Sequence, residues 1–211
     1  MDLGCGRANT SLFLARTFDV KVIALDLWIA ADEILNIARS ARLEDSVLPL
    51  NMDVTERLPF ADRYFDLVFC MDAFHYFGAN PDFLAHIGKH LRPGGYLVVG
   101  NPCFDREFSG PPPDVYEPPW SQEFSKYHSP AWWKDLFERS ALFDSVQVEE
   151  PANGMAYWED DVLHELRSGS AKDLVRLEND AAQIVFGRDN PQHPRLTHYI
   201  LSCKRRMDPN S

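Results

Sequence analysis

The stretch MDLGCGRANTSLFLARTF, residues 1–18, constrains this chain more than any other. An apolar strand end runs at once into Gly4 and Gly6, and a helical pattern follows. A strand, a glycine loop and a helix in that order open a βαβ unit, which commits the chain to a mostly parallel sheet. The two glycines let the backbone come close to a ligand where a Cβ would clash, or they simply make a tight turn. Taken alone, the loop leaves both readings open.

The pattern continues through the first hundred residues. Val20 to Asp26 is an almost continuous apolar run, as expected of a parallel strand covered on both faces. Ile34, Leu35, Ala38 and Ala41 recur at helical spacing. Strands are predicted at Ser46 to Asp53, Phe65 to Asp72 and Tyr96 to Gly100, with RPGG as the turn into the last of them. Asn80 to Leu91 reads as a helix with Pro81 in its first turn. The predicted fold class is therefore α/β: a doubly wound, mostly parallel, Rossmann-like sheet with right-handed crossovers. Ligands of such sheets lie beyond the carboxyl ends of the strands, where Gly4, Asp26, Asp53 and Asp72 all fall.

After Gly100 the character changes. Residues 101–130 form an insert rich in proline and aromatics, expected to be functional or mobile because structureless inserts of this length are uncommon. Ser129 is a good N-cap before Pro130, so a helix is predicted to about Ala141. Asp144 to Glu150 alternates like a strand. Trp158 to Phe186 reads as one or two amphipathic helices within an insert over 154–192, and Arg195 to Arg206 as a final antiparallel strand. The whole of 1–211 is expected to form a single domain.

Composition narrows the function. The 211 residues carry a formal net charge of −11, which repels phosphate backbones and anionic membranes and argues against a nucleic-acid or membrane partner. Cys5, Cys70, Cys103 and Cys203 are scattered with no zinc spacing, so no metal is expected. Three of them sit in apolar strand-like runs, as buried thiols of a reducing, cytoplasmic compartment would.

Four segments at plausible spacing now combine: DLGCG at Asp2 to Gly6, the strand-end acid Asp26, DVTERLPFADRYFDLV at Asp53 to Val68, and LRPGGYLVV at Leu91 to Val99. Together they resemble the class I S-adenosylmethionine-dependent methyltransferases, and look closest to the small-molecule branch that includes the quinone-biosynthesis C-methyltransferases. The resemblance implies S-adenosylmethionine as cofactor, bound by Asp2, Gly4, Cys5, Gly6, Asp26, Leu27, Trp28, Asp53, Val54 and Met71. In that reading Asp2 receives the cationic end of the methionine moiety, and Asp26 accepts from the ribose hydroxyls at the roughly 20-residue spacing of a ribose acid. Asp53 accepts from the adenine amine, and Leu27, Trp28 and Val54 supply apolar surface to the ring. Read singly, Asp26 is also a candidate helix N-cap and Trp28 a packing residue. A dinucleotide fingerprint would need a third glycine or alanine where Asn9 stands. The methyltransferase pattern often has a third glycine where Ala8 stands.

Methyl transfer from a sulfonium is an in-line displacement with a neutral leaving group, so alignment and exclusion of water dominate. His75 is the candidate general base, because the unperturbed histidine pKa of about 6.5 suits neutral pH; Asp72 either orients it or contacts the cofactor, and Tyr76 is a lesser candidate. AFHYF equally reads as a packed helix start. The insert at 101–130 is expected to cover a small-molecule acceptor with aromatic side chains, His128 lying in the same region. The resemblance also implies helices ahead of the glycine loop, so the chain is expected to be N-terminally truncated. Lower stability, an open cofactor site or repair by homodimerisation would follow. A non-catalytic remnant that keeps the fold and binds the cofactor is the alternative expectation.

Overall fold

The structure, a computed structural model, describes residues 1–110, 122–168, 189 and 194–208. The stretch 111–121 of the expected lid, with Tyr116 and Trp120, and the helical insert beyond Ser168 lie outside the described residues.

Among the described residues, seven strands form one sheet in the order β3-β2-β1-β4-β5-β7-β6. They are β1 (Asp2–Leu3), β2 (Val22–Asp26), β3 (Val47–Asn51), β4 (Phe65–Met71), β5 (Leu91–Phe104), β6 (Phe143–Glu149) and β7 (Leu196–Arg205). The pairs β1–β2, β1–β4, β2–β3 and β4–β5 are parallel, and the C-terminal strands run antiparallel. Strand order reverses between β1 and β4, which creates the crevice where doubly wound folds take their ligands. The doubly wound, mostly parallel sheet expected from sequence is the observed one.

The helices follow from their apolar spacing. Helix α1 (Asn9–Phe18) buries Ser11, Leu14 and Ala15, and α2 (Ala31–Ser40) buries Ile34 and Ala38, one turn apart. Asp32 and Glu33 in the first turn of α2 and Arg39 in its last oppose the helix dipole. In α3 (Pro81–Gly88) the Asn80 side chain accepts from the Asp82 amide at 3.0 Å, and Pro81 fills the first position. RPGG is not a turn ahead of a strand. It is an irregularity inside β5, where the register with β4 jumps from Phe65↔Leu91 to Leu67↔Tyr96. Gly94 there has φ +76°, and a Cβ on Gly95 would lie 3.0 Å from the Arg92 and Asp66 carbonyl oxygens.

The chain packs as two compact units. The first comprises Met1–Asn101, Leu136–Gln147 and Ser202–Ser211, and the second Pro102–Asp135 and Val148–Leu201. In the first, Ala24, Ile34, Ala38 and Val47 pack with Leu14 and Val22 between helices and strands. A separate chain of rings runs from Phe83 through Phe74 and Phe137 to Phe143, with centroids 5.8 to 5.9 Å apart. In the second unit Phe104, Phe124, Tyr127, Val162 and Leu196 form the core. Trp133, fully buried in α4 (Pro130–Arg139), stacks on Tyr199 at 6.0 Å, so that tryptophan anchors its helix. Helix α5 (Gly154–Ser168) begins at a glycine because a Cβ there would stand 2.1 Å from Thr197 Oγ1. All four cysteines are buried and unpaired. No described helix is long and apolar enough to cross a membrane.

Ile34 sits at zero exposure in the first unit. Ile34→Ala is expected to lower the unfolding free energy by about 2–5 kcal/mol, read as a reduced urea midpoint with unchanged slope.

Candidate functional site

The register of the central strands builds the site. Leu3 pairs with Leu25, so the next residues on each strand, Gly4 and Asp26, leave the sheet side by side. Gly4 turns the chain at φ +64°, and a Cβ there would lie 2.4 Å from the Ala73 Cβ, so this close approach admits glycine alone. Gly6 also has positive φ, at +52°, but its Cβ would meet nothing within 4 Å, leaving backbone conformation as its constraint. Ala8, at the position of the third glycine, also adopts φ +64°. A left-handed non-glycine residue costs roughly 1 kcal/mol, so the loop carries that strain.

Asp26 is the hub. Its Oδ2 accepts from the Gly6 amide at 2.8 Å, and its Oδ1 accepts from the amides of Trp28 and Ile29 at 2.8 and 2.9 Å. The carboxylate thus holds the glycine loop and the β2–α2 loop together; it is not a helix N-cap, because α2 starts at Ala31 with Ala30 at the cap position and the amides that Asp26 holds belong to the loop before it. A carboxylate has about four acceptor directions, and three are taken here. A ligand diol contacting both oxygens would have to release one of the loop amides.

A second clamp was missed by the sequence reasoning. The Asn51 side-chain amide donates to the carbonyls of Asp26, Leu27 and Ile29 at 3.0, 2.9 and 3.1 Å. Nothing in the sequence marks a strand-end asparagine as a loop clamp. The next wall segment is held likewise. Asp53 Oδ1 accepts from the Thr55 hydroxyl and amide at 2.7 and 2.8 Å, which holds its carboxyl below the usual carboxylate range. His86 Nε2 lies 3.2 Å from the Val54 carbonyl, and burial lowers its pKa, so it donates there as a neutral ring.

These elements enclose a cavity of about 460 Å³ at the carboxyl ends of β1 to β4. Of the residues singled out from sequence, Gly4, Cys5, Gly6, Asp26, Leu27, Trp28, Asp53, Val54, Met71 and Asp72 line it. Asn9 and Thr10, in the first turn of α1, also line it, as do Ile29, Ala73 and Phe77. The position after a glycine loop, at a helix N-terminus, was the available signal for the first two. Trp28, 72% exposed, meets Tyr76 edge-to-face at 5.4 Å, so an aromatic pair stands on the wall.

Asp2 and His75 are not among the lining residues. Asp2 lies beneath the loop, its Oδ2 accepting from the Ser11 hydroxyl at 2.6 Å. Burial raises its pKa to about 6. His75 is 3% exposed, in a short 3-10 turn (Phe74–Tyr76), with Nδ1 at 3.3 Å from Asn101 Oδ1. The same asparagine oxygen accepts from the Phe74 amide at 3.0 Å. Asp72, just before it, has φ +55° and donates its amide to the Gly100 carbonyl at 2.8 Å.

A parallel sheet with a glycine loop, a strand-end acid and an open crevice at the switch point defines a nucleotide-type ligand-binding domain. Residues 1–99 match the sequence family described as a methyltransferase domain. An O-methyltransferase of Pyrenophora dematioidea is 24% identical over 150 residues, 71% of this chain and 50% of that protein. Among solved structures, geranyl diphosphate C-methyltransferase from Streptomyces coelicolor A3(2) was determined with Mg2+, geranyl diphosphate and S-adenosyl-L-homocysteine. It superposes with a TM-score of 0.72 at 20% identity, covering 97% of this chain and 71% of that one. The cyclase SpnF superposes with a TM-score of 0.73 at 18% identity, covering 98% of this chain and 74% of that one. At that identity the structures establish the fold, a Rossmann-like methyltransferase fold. The chain spans half or less of the length of the curated relatives it matches.

Two predictions follow from this geometry. Asn51→Ala removes three hydrogen bonds, so the Trp28 and Ile29 amides should exchange with deuterium roughly tenfold faster or more, at about 1.4 kcal/mol of local stability per decade. Asp2 has a native pKa of about 6 against an ordinary 3.8, so the folded state favours its protonated form. That stabilisation is complete below pH ~4 and is lost as pH rises through ~6, a penalty of about 3 kcal/mol at pH 7. Asp2→Asn should therefore raise the melting temperature relative to the parent at pH 7 and lose that advantage at pH 4. A constant difference across the range would contradict the burial account.

Proposed function

We propose that this chain binds S-adenosylmethionine in the 460 Å³ cavity and transfers its methyl group to a small-molecule acceptor. The observation that carries the reading is Asp26, tied through its carboxylate to the Gly6 amide and lining the same cavity. The family matched by residues 1–99, and a solved neighbour holding S-adenosyl-L-homocysteine, support the choice of ligand. In this reading Asp26 meets the ribose, Asp53 the adenine amine, and Leu27, Trp28 and Val54 the adenine faces. Gly4, Cys5, Gly6 and Met71 border the remaining length of the nucleoside and its methionine tail. Asp2 acts from beneath, shaping the loop through Ser11.

When bound, the cofactor supplies an electrophilic methyl group on a sulfonium. The protein's part is to align the acceptor and keep water out, which leaves general-base help for acceptors that carry a proton. His75 is proposed for that role, and Asp72, which lines the cavity, for orienting it or for contacting the cofactor. The acceptor belongs to the small molecules, and C-methylation of a quinone precursor is the candidate that the sequence resemblance suggests. O- and N-methyltransferases among the relatives widen the range to hydroxyls and amines. The unpaired buried thiols suit a cytoplasmic setting, and a homodimer stays part of the proposal. The whole of 1–211 is taken to serve this one activity. A second reading, binding without methylation, draws support from the cyclase that shares the fold and from the three amides already on Asp26.

Calorimetric titration with S-adenosylhomocysteine tests the ligand. The parent chain is expected to bind in the micromolar range and Asp26→Ala to bind at least roughly tenfold more weakly, a loss of about 1.4 kcal/mol. A folded parent chain without affinity for the nucleoside would refute the reading.

A further inference from the structure

The second unit holds a cavity of its own, about 310 Å³, whose wall includes Phe104, Phe108, Phe124, Tyr127, Glu107 and His128. Three of the four rings are nearly closed off from solvent, Phe104 at 2%, Phe124 at 3% and Tyr127 at 6%. They pack edge-to-face, Phe104 on Phe108 at 5.0 Å and Phe124 on Tyr127 at 5.5 Å, so the wall is fixed aromatic surface rather than adaptable chain. Such a surface suits the flat or alicyclic body of a small molecule.

The polar side is organised around one imidazole. Glu107 Oε1 accepts from the Ser129 amide at 2.5 Å, and Oε2 lies 3.2 Å from His128 Nδ1. Burial alone would raise the Glu107 carboxyl, but the hydrogen bonds from His128 and Ser129 hold it below its ordinary value, so it is ionised at neutral pH. A carboxylate only accepts, so Nδ1 carries a proton, and in the uncharged form of the ring Nε2 is then the acceptor. The ring plane is set by Trp132, stacked on it at 3.8 Å with 11° between planes. Among the described residues, Arg106 lies 3.3 Å from Asp105, which also pairs with Arg195 at 3.0 Å, and the Glu107 carboxylate is held by hydrogen bonds from His128 and Ser129. A charged ligand gains little from groups already paired, whereas an uncharged donor gains a placed acceptor.

We infer that this cavity binds an uncharged small molecule with an aromatic or alicyclic body and one hydroxyl, whose O–H donates to His128 Nε2. Glu107 is the positioning residue that fixes the tautomer. That this molecule is the methyl acceptor rests on the function proposed above; its binding does not.

The test uses 1-naphthol and 1-methoxynaphthalene, which share a body and differ in the donor, titrated calorimetrically into the full chain without nucleotide. The parent should prefer 1-naphthol by roughly tenfold, one hydrogen bond's worth at about 1.4 kcal/mol. His128→Phe, which retains a ring to stack on Trp132, should bind both probes alike. In the unsubstituted protein, 1-naphthol should move the His128 Nε2 nitrogen resonance and leave Nδ1 nearly still, a readout independent of how the variant folds. Equal affinity for the two probes in the parent would overturn the inference, as would a preference that survives His128→Phe. Displacement of 1-naphthol by S-adenosylhomocysteine would overturn it too, by placing the probe in the other cavity. Absence of S-adenosylhomocysteine binding with the naphthol preference intact would refute the proposed function and leave this site standing.

Discussion

The carboxylate of Asp26 is the constraint on which the site depends. It is 5% exposed, ends β2 beside the start of the glycine loop, and accepts three backbone N–H groups from two loops. Hydrogen bonds to a charged acceptor contribute about 1.5–3 kcal/mol each, more than neutral ones, and a buried carboxylate without them would be costly. Parallel pairing of β1 with β2 brings the two loops within reach of one side chain. Asn51 adds a second tie from β3, its amide spread over three carbonyls of the same β2–α2 loop. The loops are therefore shaped by the edges of the sheet, and the cavity inherits its form from strand register.

Much of this was legible in the sequence because the signals were local. Continuous apolar runs at Val20–Asp26 and Phe65–Asp72 fix parallel strands, and Gly4, Asp26, Asp53 and Asp72 follow strand ends, so their gathering at one edge of the sheet was a matter of topology. What lay hidden depends on partners distant in the chain. RPGG has the chemistry of a turn, yet β5 runs through it as a bulge because β4 continues alongside. Asp2 has the sequence position of a loop acid, but pairing on both sides of β1 leaves it under the loop with Ser11. His75 follows the end of a strand where a substrate-facing group is expected, while Asn101, 26 residues away, holds its ring in the interior.

The second unit shows the same division. Its aromatic residues were conspicuous in the sequence, but composition does not say which rings form a wall and which anchor a helix. Trp133 is fully buried on Tyr199, whereas Phe104, Phe108, Phe124 and Tyr127 bound open volume. The pairing of Glu107 with His128 across 21 residues turns a solitary histidine into an oriented acceptor. Fold alone does not decide chemistry here, since a cyclase shares the architecture; the side chains around each cavity do.

The proposed role of the Asp26-bound glycine loop is to hold a nucleoside. A crystal structure of this chain with S-adenosylhomocysteine tests it most directly. The account predicts the ribose within hydrogen-bond distance of Asp26, with the Trp28 or Ile29 amide shifted off Oδ1 wherever both hydroxyls engage the carboxylate. A nucleoside bound elsewhere, with all three amides still on Asp26, would contradict it.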